Sequence, residues 1–146
     1  MTVDIGSATP EDEAATIALW EVCGLVTPHN PPAEDFRRAL NNAASNVLIA
    51  RNSEVVIGTA MVGDDGHRGW IYYLAVAPAY QGTGVGQILC SACENWARGR
   101  GVRKIQLMMR PANKTVASFY AASGYEVTPR LVMAKWLDKT AAGELG

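Results

Sequence analysis

The stretch LAVAPAYQGTGVG, Leu74–Gly86, constrains the fold of this 146-residue chain more than any other. An apolar run predicted to be a buried strand ends at Pro78, because proline lacks the N–H that a strand ladder needs. Gly82, Gly84 and Gly86 then occupy every second position just before a helical pattern. Glycines in this position favour either a tight turn or a close approach of the backbone to a ligand.

The helix after these glycines is predicted from apolar residues at a 3.6-residue period, and it ends near Gly99 or Gly101. The first N–H groups of a helix have no intrahelical partner and carry a partial positive charge. A glycine-rich segment that leads into a helix therefore indicates a phosphate-binding loop. A tight turn without any ligand remains the alternative.

Two common phosphate loops fit these glycines poorly. A Walker loop requires Lys and then Ser or Thr after its last glycine, but Gln87 follows Gly86. A dinucleotide fingerprint, G-x-G-x-x-G, requires a glycine at position 87, and it follows the strand directly, without an intervening proline such as Pro78. The first loop is excluded, and a nucleotide-binding α/β domain is kept only as a rival.

The rest of the chain predicts a mixed α/β fold in one domain over residues 1–146, because no linker, repeat or charge block interrupts it. Strands are predicted over residues 2–7, 46–50, 55–62, 70–77, 104–109 and 125–137. Helices are predicted after Thr9-Pro10 up to Cys23 and Gly24, after Asn30-Pro31, over 85–99, and from Asn113 to Ala122. This order predicts a mostly antiparallel sheet with one parallel crossover.

Composition and charge exclude several function classes. The net charge of −1 provides no basic field for nucleic acid or anionic lipid. The chain has neither a signal-peptide pattern nor an apolar run of the ~20 residues that a membrane span requires. Three cysteines leave an odd thiol, which is typical of a reducing cytoplasm. Cys90 and Cys93 form a CxxC pattern in mid-helix, which favours packing over metal binding, so no metal is expected.

The hexapeptide QGTGVG, residues 81–86, matches the pattern Q/R-x-x-G-x-G and resembles the pyrophosphate loop of the GCN5-related N-acetyltransferases, the GNAT family. LAVAP, residues 74–78, resembles the fourth strand of that family. Asn113, followed by Tyr120 and by Gly124-Tyr125, resembles a second family signature, although Val116 stands where alanine is common. The order of the predicted strands and helices also matches that family, so the resemblance covers nearly the whole chain.

The resemblance implies a GNAT fold, that is, an acyl-CoA N-acyltransferase fold whose central strands splay apart between flanking helices. Segments 19–25, 28–30, 65–69 and 72–76 further resemble the YpeA-like branch of this family. The implied reaction is direct acetyl transfer from acetyl-CoA to a primary amine. The oligomeric state, monomer or homodimer, stays open, and the expected compartment is the cytoplasm, as the cysteines indicate.

The resemblance also implies roles for particular residues. The cofactor-binding residues are Leu74, Ala75, Val76, Gln81, Gly82, Thr83, Gly84, Val85, Gly86, Gln87 and Asn113. An N–H near Val76 is expected to polarise the thioester carbonyl. Tyr120 is the candidate general acid for the departing thiolate, since a phenol with a pKa of about 10 and a thiol of about 8.5 are close enough to share a proton. A core aromatic is the alternative for Tyr120.

The acceptor side is less well specified. The strand WIYYLAV contains no acid that could serve as general base. Candidate acceptor-pocket residues are Trp20, His29, Asn30, His67, Tyr72 and Tyr73, and each has a structural alternative such as core packing or a solvated turn. Strand alternation places only one of the two tyrosines in the pocket, and a bulge would change which one it is. The acceptor itself stays open, and the first rival to the enzyme is an acyl-CoA-binding module without turnover.

Overall fold

The computed structural model describes residues 1–138 and separates into two compact units, Met1–Leu107 and a second unit that begins at Met108. The predicted single domain over residues 1–146 stays a prediction. None of the helices in the described part of the chain is long and apolar enough to cross a membrane.

The first unit contains a five-stranded sheet and three α-helices, in agreement with the predicted mixed α/β fold. In chain order the elements are β1 (Asp4–Ser7), α1 (Glu13–Val22), α2 (Pro32–Leu40), β2 (Ser45–Asn52), β3 (Val55–Asp64), β4 (Gly69–Val76), α3 (Val85–Gly99) and β5 (Ile105–Leu107). The strands lie in the order β1-β2-β3-β4-β5. The first three pairings are antiparallel, and β4 pairs with β5 in parallel, as expected.

Local signals explain where the first helices begin and end. Thr9 and Asp12 form a capping box in which the Thr9 N–H donates to Asp12 Oδ2 at 2.8 Å. Gly24 adopts a φ of +71° after α1, a conformation that stops a helix and suits glycine. Pro32 occupies the first helical position of α2, where its missing N–H has no consequence.

The sheet is covered on both faces. Against one face, α1 and α2 bury a core that includes Trp20, Phe36 and Ile49. Against the other, α3 approaches so closely that a Cβ on Gly58 would lie 2.8 Å from Leu89 Cδ1. The two faces are thereby separated by a single layer of strands, in which β3 is central and β4 lies between β3 and β5.

The second unit contains α4 (Lys114–Ala122), which begins and ends as predicted. Asn113 Oδ1 accepts a hydrogen bond from the Val116 N–H at 3.3 Å, and Gly124 follows the helix with a φ of +91°. The strand predicted over residues 125–137 is wrong, because residues 125–138 contain no strand and are mostly exposed. Alternating apolar residues favour an extended backbone, but a segment becomes a β-strand only when it pairs with a neighbouring segment.

Candidate functional site

The central irregularity of the sheet is a bulge in β4. Between Tyr72 and Ala75, this strand has two residues where β3 has only Ala60. The extra residue, Tyr73, has a φ of +51°, in the left-handed region that a bulky side chain rarely adopts. Strain of this kind persists only where surrounding contacts hold it, and it concentrates at functional sites.

The bulge places both tyrosines on the face that α1 and α2 cover. Tyr72 pairs across the strands with Met61, which packs against the core of this face. The Tyr73 ring stacks on Trp20, with centroids 3.9 Å apart and planes at 15°. Simple alternation would place the two tyrosines on opposite faces of the sheet, and the bulge, which adds one residue to the strand, places both on one face.

A hydrogen-bond network holds Tyr73 in place. Its phenol donates to Asp35 Oδ2 at 2.6 Å. The Thr59 hydroxyl donates to the Tyr73 carbonyl at 3.4 Å and accepts from Trp20 Nε1 at 3.0 Å. Burial, and after it the hydrogen bond and charge of Asp35, raises the pKa of Tyr73 above its usual range, so the phenol stays protonated near neutral pH.

Asp35 was not found by sequence reasoning. It lies 38 residues before Tyr73, in the first turn of α2, where an acidic residue is ordinary because it stabilises a helix N-terminus. No local pattern distinguishes it from Glu34 beside it. Only the packing of α2 on the sheet brings this carboxylate to β4.

The far half of β4 has an open edge. β5 pairs only with residues Gly69–Ile71 and ends at Leu107, so in the sheet formed by residues 1–107 the strands part after Ile71. The Ala77 N–H donates to the Ile57 carbonyl at 2.8 Å. Because backbone directions alternate along a strand, the N–H and C=O of Val76 point to the open edge.

Two side chains already contact this edge. Gln81 Nε2 donates to the Val76 carbonyl at 3.0 Å, and the Cys23 thiol donates to the same oxygen at 3.4 Å. Burial raises the pKa of the Cys23 thiol, which keeps it protonated as a donor. The Gln81 bond ties the glycine loop to the end of β4.

The glycine loop lies directly before α3. Gly82 and Gly84 have φ values of +78° and +95°, and Gly84 is the N-cap of the helix. A Cβ on either glycine would meet no atom within 4 Å. The backbone turn thus accounts for the glycines, and the open space before them leaves the helix N-terminus accessible. From Gly84 an open groove continues along α3, past Gln87 and Asn95.

The other predicted pocket residues of the first unit are not all brought together. Trp20 is fully buried, so it does not reach the surface itself, and its ring stacks on Tyr73. His29 and Asn30 lie half-buried in the loop before α2, where Asn30 Nδ2 donates to Thr27 Oγ1 at 3.1 Å. His67 is exposed at the tip between β3 and β4, and its backbone N–H donates to Asp65 Oδ1 at 2.8 Å.

Tyr120 and Asn113 belong to the second unit. Tyr120 is buried, and its ring contacts Phe119 and Tyr125 edge to face, with centroids 5.1 and 5.6 Å away. Asn113 serves as the N-cap of α4. The catalytic role of Tyr120 and the cofactor contact of Asn113 stay predictions.

The CxxC pair is buried in α3. Burial raises the pKa of Cys90 to about 12 and that of Cys93 further, so neither is a thiolate near neutral pH. Over residues 1–138 no group of three metal-ligating side chains is present. These thiols fill space between α3 and the sheet.

Comparisons with known proteins identify the family and the fold of this chain. The model of the acetyltransferase (GNAT) family matches residues 12–125. An acetyltransferase of Pectobacterium atrosepticum is 39% identical over 87% of this chain and 90% of its own length. One of Sodalis glossinidius is 40% identical over 84% of this chain and 87% of its own length. An aminoglycoside N-acetyltransferase solved in complex with CoA has the same fold, with a TM-score of 0.82 and 20% sequence identity. The match covers 93% of this chain and 95% of the other.

Proposed function

Because the chain belongs to the acetyltransferase (GNAT) family, we propose that it transfers an acetyl group from acetyl-CoA directly to a primary amine. The observation that carries this proposal is the juxtaposition of an accessible helix N-terminus with the open edge of β4, joined by the bond from Gln81 to Val76. A phosphate cradle beside an unpaired strand suits a ligand with a pyrophosphate at one end and an amide-containing arm.

On the donor side, the N–H groups at the start of α3 bind the pyrophosphate, and the glycines let it approach the backbone. The pantetheine arm lies along β4 like an added strand, with backbone partners at Leu74 and Val76. An N–H at this edge, near Val76, polarises the thioester carbonyl and stabilises negative charge that develops on its oxygen. Tyr120 donates a proton to the thiolate as it departs.

The acceptor is a primary amine whose identity the family does not specify. The aminoglycoside acetyltransferase at 20% identity supports the fold of this chain and not its acceptor. Three free cysteines support a reducing cytoplasm as the compartment. The narrower YpeA-like branch stays a prediction.

Calorimetric titration with acetyl-CoA, with NADH as the control ligand, tests the donor site. Gly84→Glu puts a side chain and a negative charge into the cradle, and we expect it to weaken acetyl-CoA binding about 100-fold, or about 2.7 kcal/mol. Gly101→Glu is the matched control, because Gly101 lies just after the other end of α3 with a φ of +81° and equally open space. Equal affinity in the two variants contradicts the placement of the loop.

Thiol release with a panel of amines tests the reaction. Tyr120→Phe should lower turnover by about 10²- to 10⁴-fold and leave acetyl-CoA affinity intact, since a general acid acts only in the chemical step. Tyr125→Phe is the control, because Tyr125 contacts the Tyr120 ring in the same unit. Acetyl-CoA binding without thiol release favours a binding module, and NADH binding without acetyl-CoA binding favours a nucleotide-binding domain.

A further inference from the structure

The acceptor side of the reaction lacks a charged group in the strand sequence, but the fold supplies one at the bulge of β4. We propose that Tyr73, held by Asp35, binds and orients the acceptor's amino group, and that the acceptor arrives as a protonated alkylamine that loses one proton to water before its nitrogen attacks. This inference rests on the proposed acetyl transfer and names the residues and the charge that recognise its acceptor.

The direction of the hydrogen bond between Tyr73 and Asp35 determines what Tyr73 can bind. Its only proton is donated to the Asp35 carboxylate at 2.6 Å, so the phenol oxygen offers only lone pairs to a ligand. A charge-assisted bond to a carboxylate also makes that oxygen a better acceptor. An amino group, which donates N–H bonds, is the matching partner.

The charge of Asp35 favours a cationic partner. Within residues 1–138, Asp35 takes part in no ion pair. Arg37, on the same helix, is held by Glu13 at 2.7 Å instead. A carboxylate whose side-chain partner is a neutral phenol has no cation beside it, and an ammonium group would supply one.

The strained backbone of Tyr73 is typical of residues at functional sites. An aromatic residue is strained at a φ of +51°, and a glycine at this position would relieve the strain. The Trp20 stack and the Thr59 hydroxyl nevertheless fix Tyr73 in this conformation. Tyr72, 43% exposed on the same face, adds a ring that favours a cation.

Two amines of similar shape separate the charge from the hydrogen bond. Ethylamine is protonated near pH 7, whereas 2,2,2-trifluoroethylamine is largely neutral because its fluorines withdraw electron density. Steady-state thiol release with each amine, at saturating acetyl-CoA, gives kcat and the amine KM for wild type, Tyr73→Phe and Asp35→Asn. Glu34→Gln is the matched control, because it removes the same charge one residue away on an exposed side chain.

We expect Tyr73→Phe to lower kcat/KM about 10- to 100-fold for both amines, since both lose the hydrogen bond. Asp35→Asn should raise the KM for ethylamine at least about tenfold more than for trifluoroethylamine, because only the former is charged. Glu34→Gln should change neither value, and calorimetry should show unchanged acetyl-CoA affinity in every variant.

Other results overturn the inference. Equal losses with both amines in Asp35→Asn mean that Asp35 acts only on structure, and wild-type kinetics in Tyr73→Phe remove Tyr73 from the acceptor site. Acetyl-CoA binding that fails together with amine use means that the variants disturb the whole unit. Wild-type protein that binds acetyl-CoA but releases no thiol with either amine overturns the proposed transfer, and the inference falls with it.

Discussion

Two places in the sheet break its regular register, and each contains a non-glycine residue with a positive φ. The hairpin of β2 and β3 has a register shift beside Arg51 and a φ of +56° at Ser53. The other place is the bulge of β4, at Tyr73. Each also receives a carboxylate from outside the sheet: Asp12 Oδ1 lies 2.6 Å from Arg51 Nη2, and Asp35 lies beside Tyr73.

The two irregularities differ in cause. Ser53 is exposed in a two-residue hairpin turn, and such turns require a positive φ, so the local connection explains its conformation. No turn surrounds Tyr73, and only contacts from α1, α2 and β3 hold it. The carboxylates differ as well, because Asp12 meets a cation and Asp35 meets a neutral phenol. One irregularity closes a hairpin, and the other holds a tyrosine against a carboxylate of α2.

Removal of Trp20 should have the largest effect and should affect the two places unequally. Trp20→Ala deletes a fully buried side chain and the stack on Tyr73, and we expect a loss of about 3–5 kcal/mol in the free energy of unfolding. Urea unfolding measures this, and amide hydrogen exchange should show greater opening at the bulge than at the hairpin. Val22→Ala, at an exposed site on the same helix, is the control, and an equal loss there contradicts the prediction.

The Thr59 hydroxyl should matter next, because it links Trp20 to the bulge. Thr59→Val leaves the buried Trp20 Nε1 donor without its acceptor, and we expect a loss of about 1–3 kcal/mol. Thr59→Ser keeps the hydroxyl and should lose less. The prediction fails if both variants unfold at the same urea concentration as wild type.

The ion pair beside the hairpin should make stability depend on pH. Burial acts to raise the pKa of Asp12, but hydrogen bonds from Arg51 and Thr9 outweigh burial and lower that pKa below its usual value. The resulting stabilisation is complete above the unfolded pKa of about 3.9 and is lost as the pH falls through the lower folded pKa. Asp12→Asn should lower stability by about 1 kcal/mol at pH 7.

Urea unfolding at pH 7 and at pH 3 checks this prediction. The gap between Asp12→Asn and wild type should shrink at the lower pH, because wild type then approaches the neutral form of the carboxyl. A gap of the same size at both pH values would show that the charge of Asp12 contributes nothing.

Glycine at the two strained positions should have opposite effects, and the first should be the smallest of this series. Ser53→Gly relieves the strain at an exposed turn and should raise the free energy of unfolding by about 0.5 kcal/mol. Tyr73→Gly relieves the same strain but deletes the stack and the bond to Asp35, and should destabilise the protein. Thermal unfolding of both variants provides the comparison, and a stabilised Tyr73→Gly would show that the contacts at the bulge contribute little.

Much of the framework could be predicted because its signals are local. The Thr9 cap, the stop at Gly24, the end of the strand before Pro78 and the cap at Asn113 each depend on residues within one turn of the chain. The glycine turn between β4 and α3 was also predicted, since its signal is contained in six consecutive residues, and its role in phosphate binding stays a prediction. The strand predicted over residues 125–137 is wrong, because a strand forms only when a second segment pairs with it, and the pattern of one segment does not show whether it has a partner.

The sequence alone therefore determined the elements of the first unit, the parallel crossover and the glycine turn before α3, because backbone propensities and caps act over a few residues. The tertiary structure alone decided the bulge that turns Tyr72 and Tyr73 to one face, and the arrival of Asp35 at that bulge. Asp35 lies 38 residues before Tyr73, and their contact exists only once α2 packs on the sheet. When two side chains lie this far apart in the sequence, their contact depends on how the elements pack, and no local sequence pattern indicates that packing.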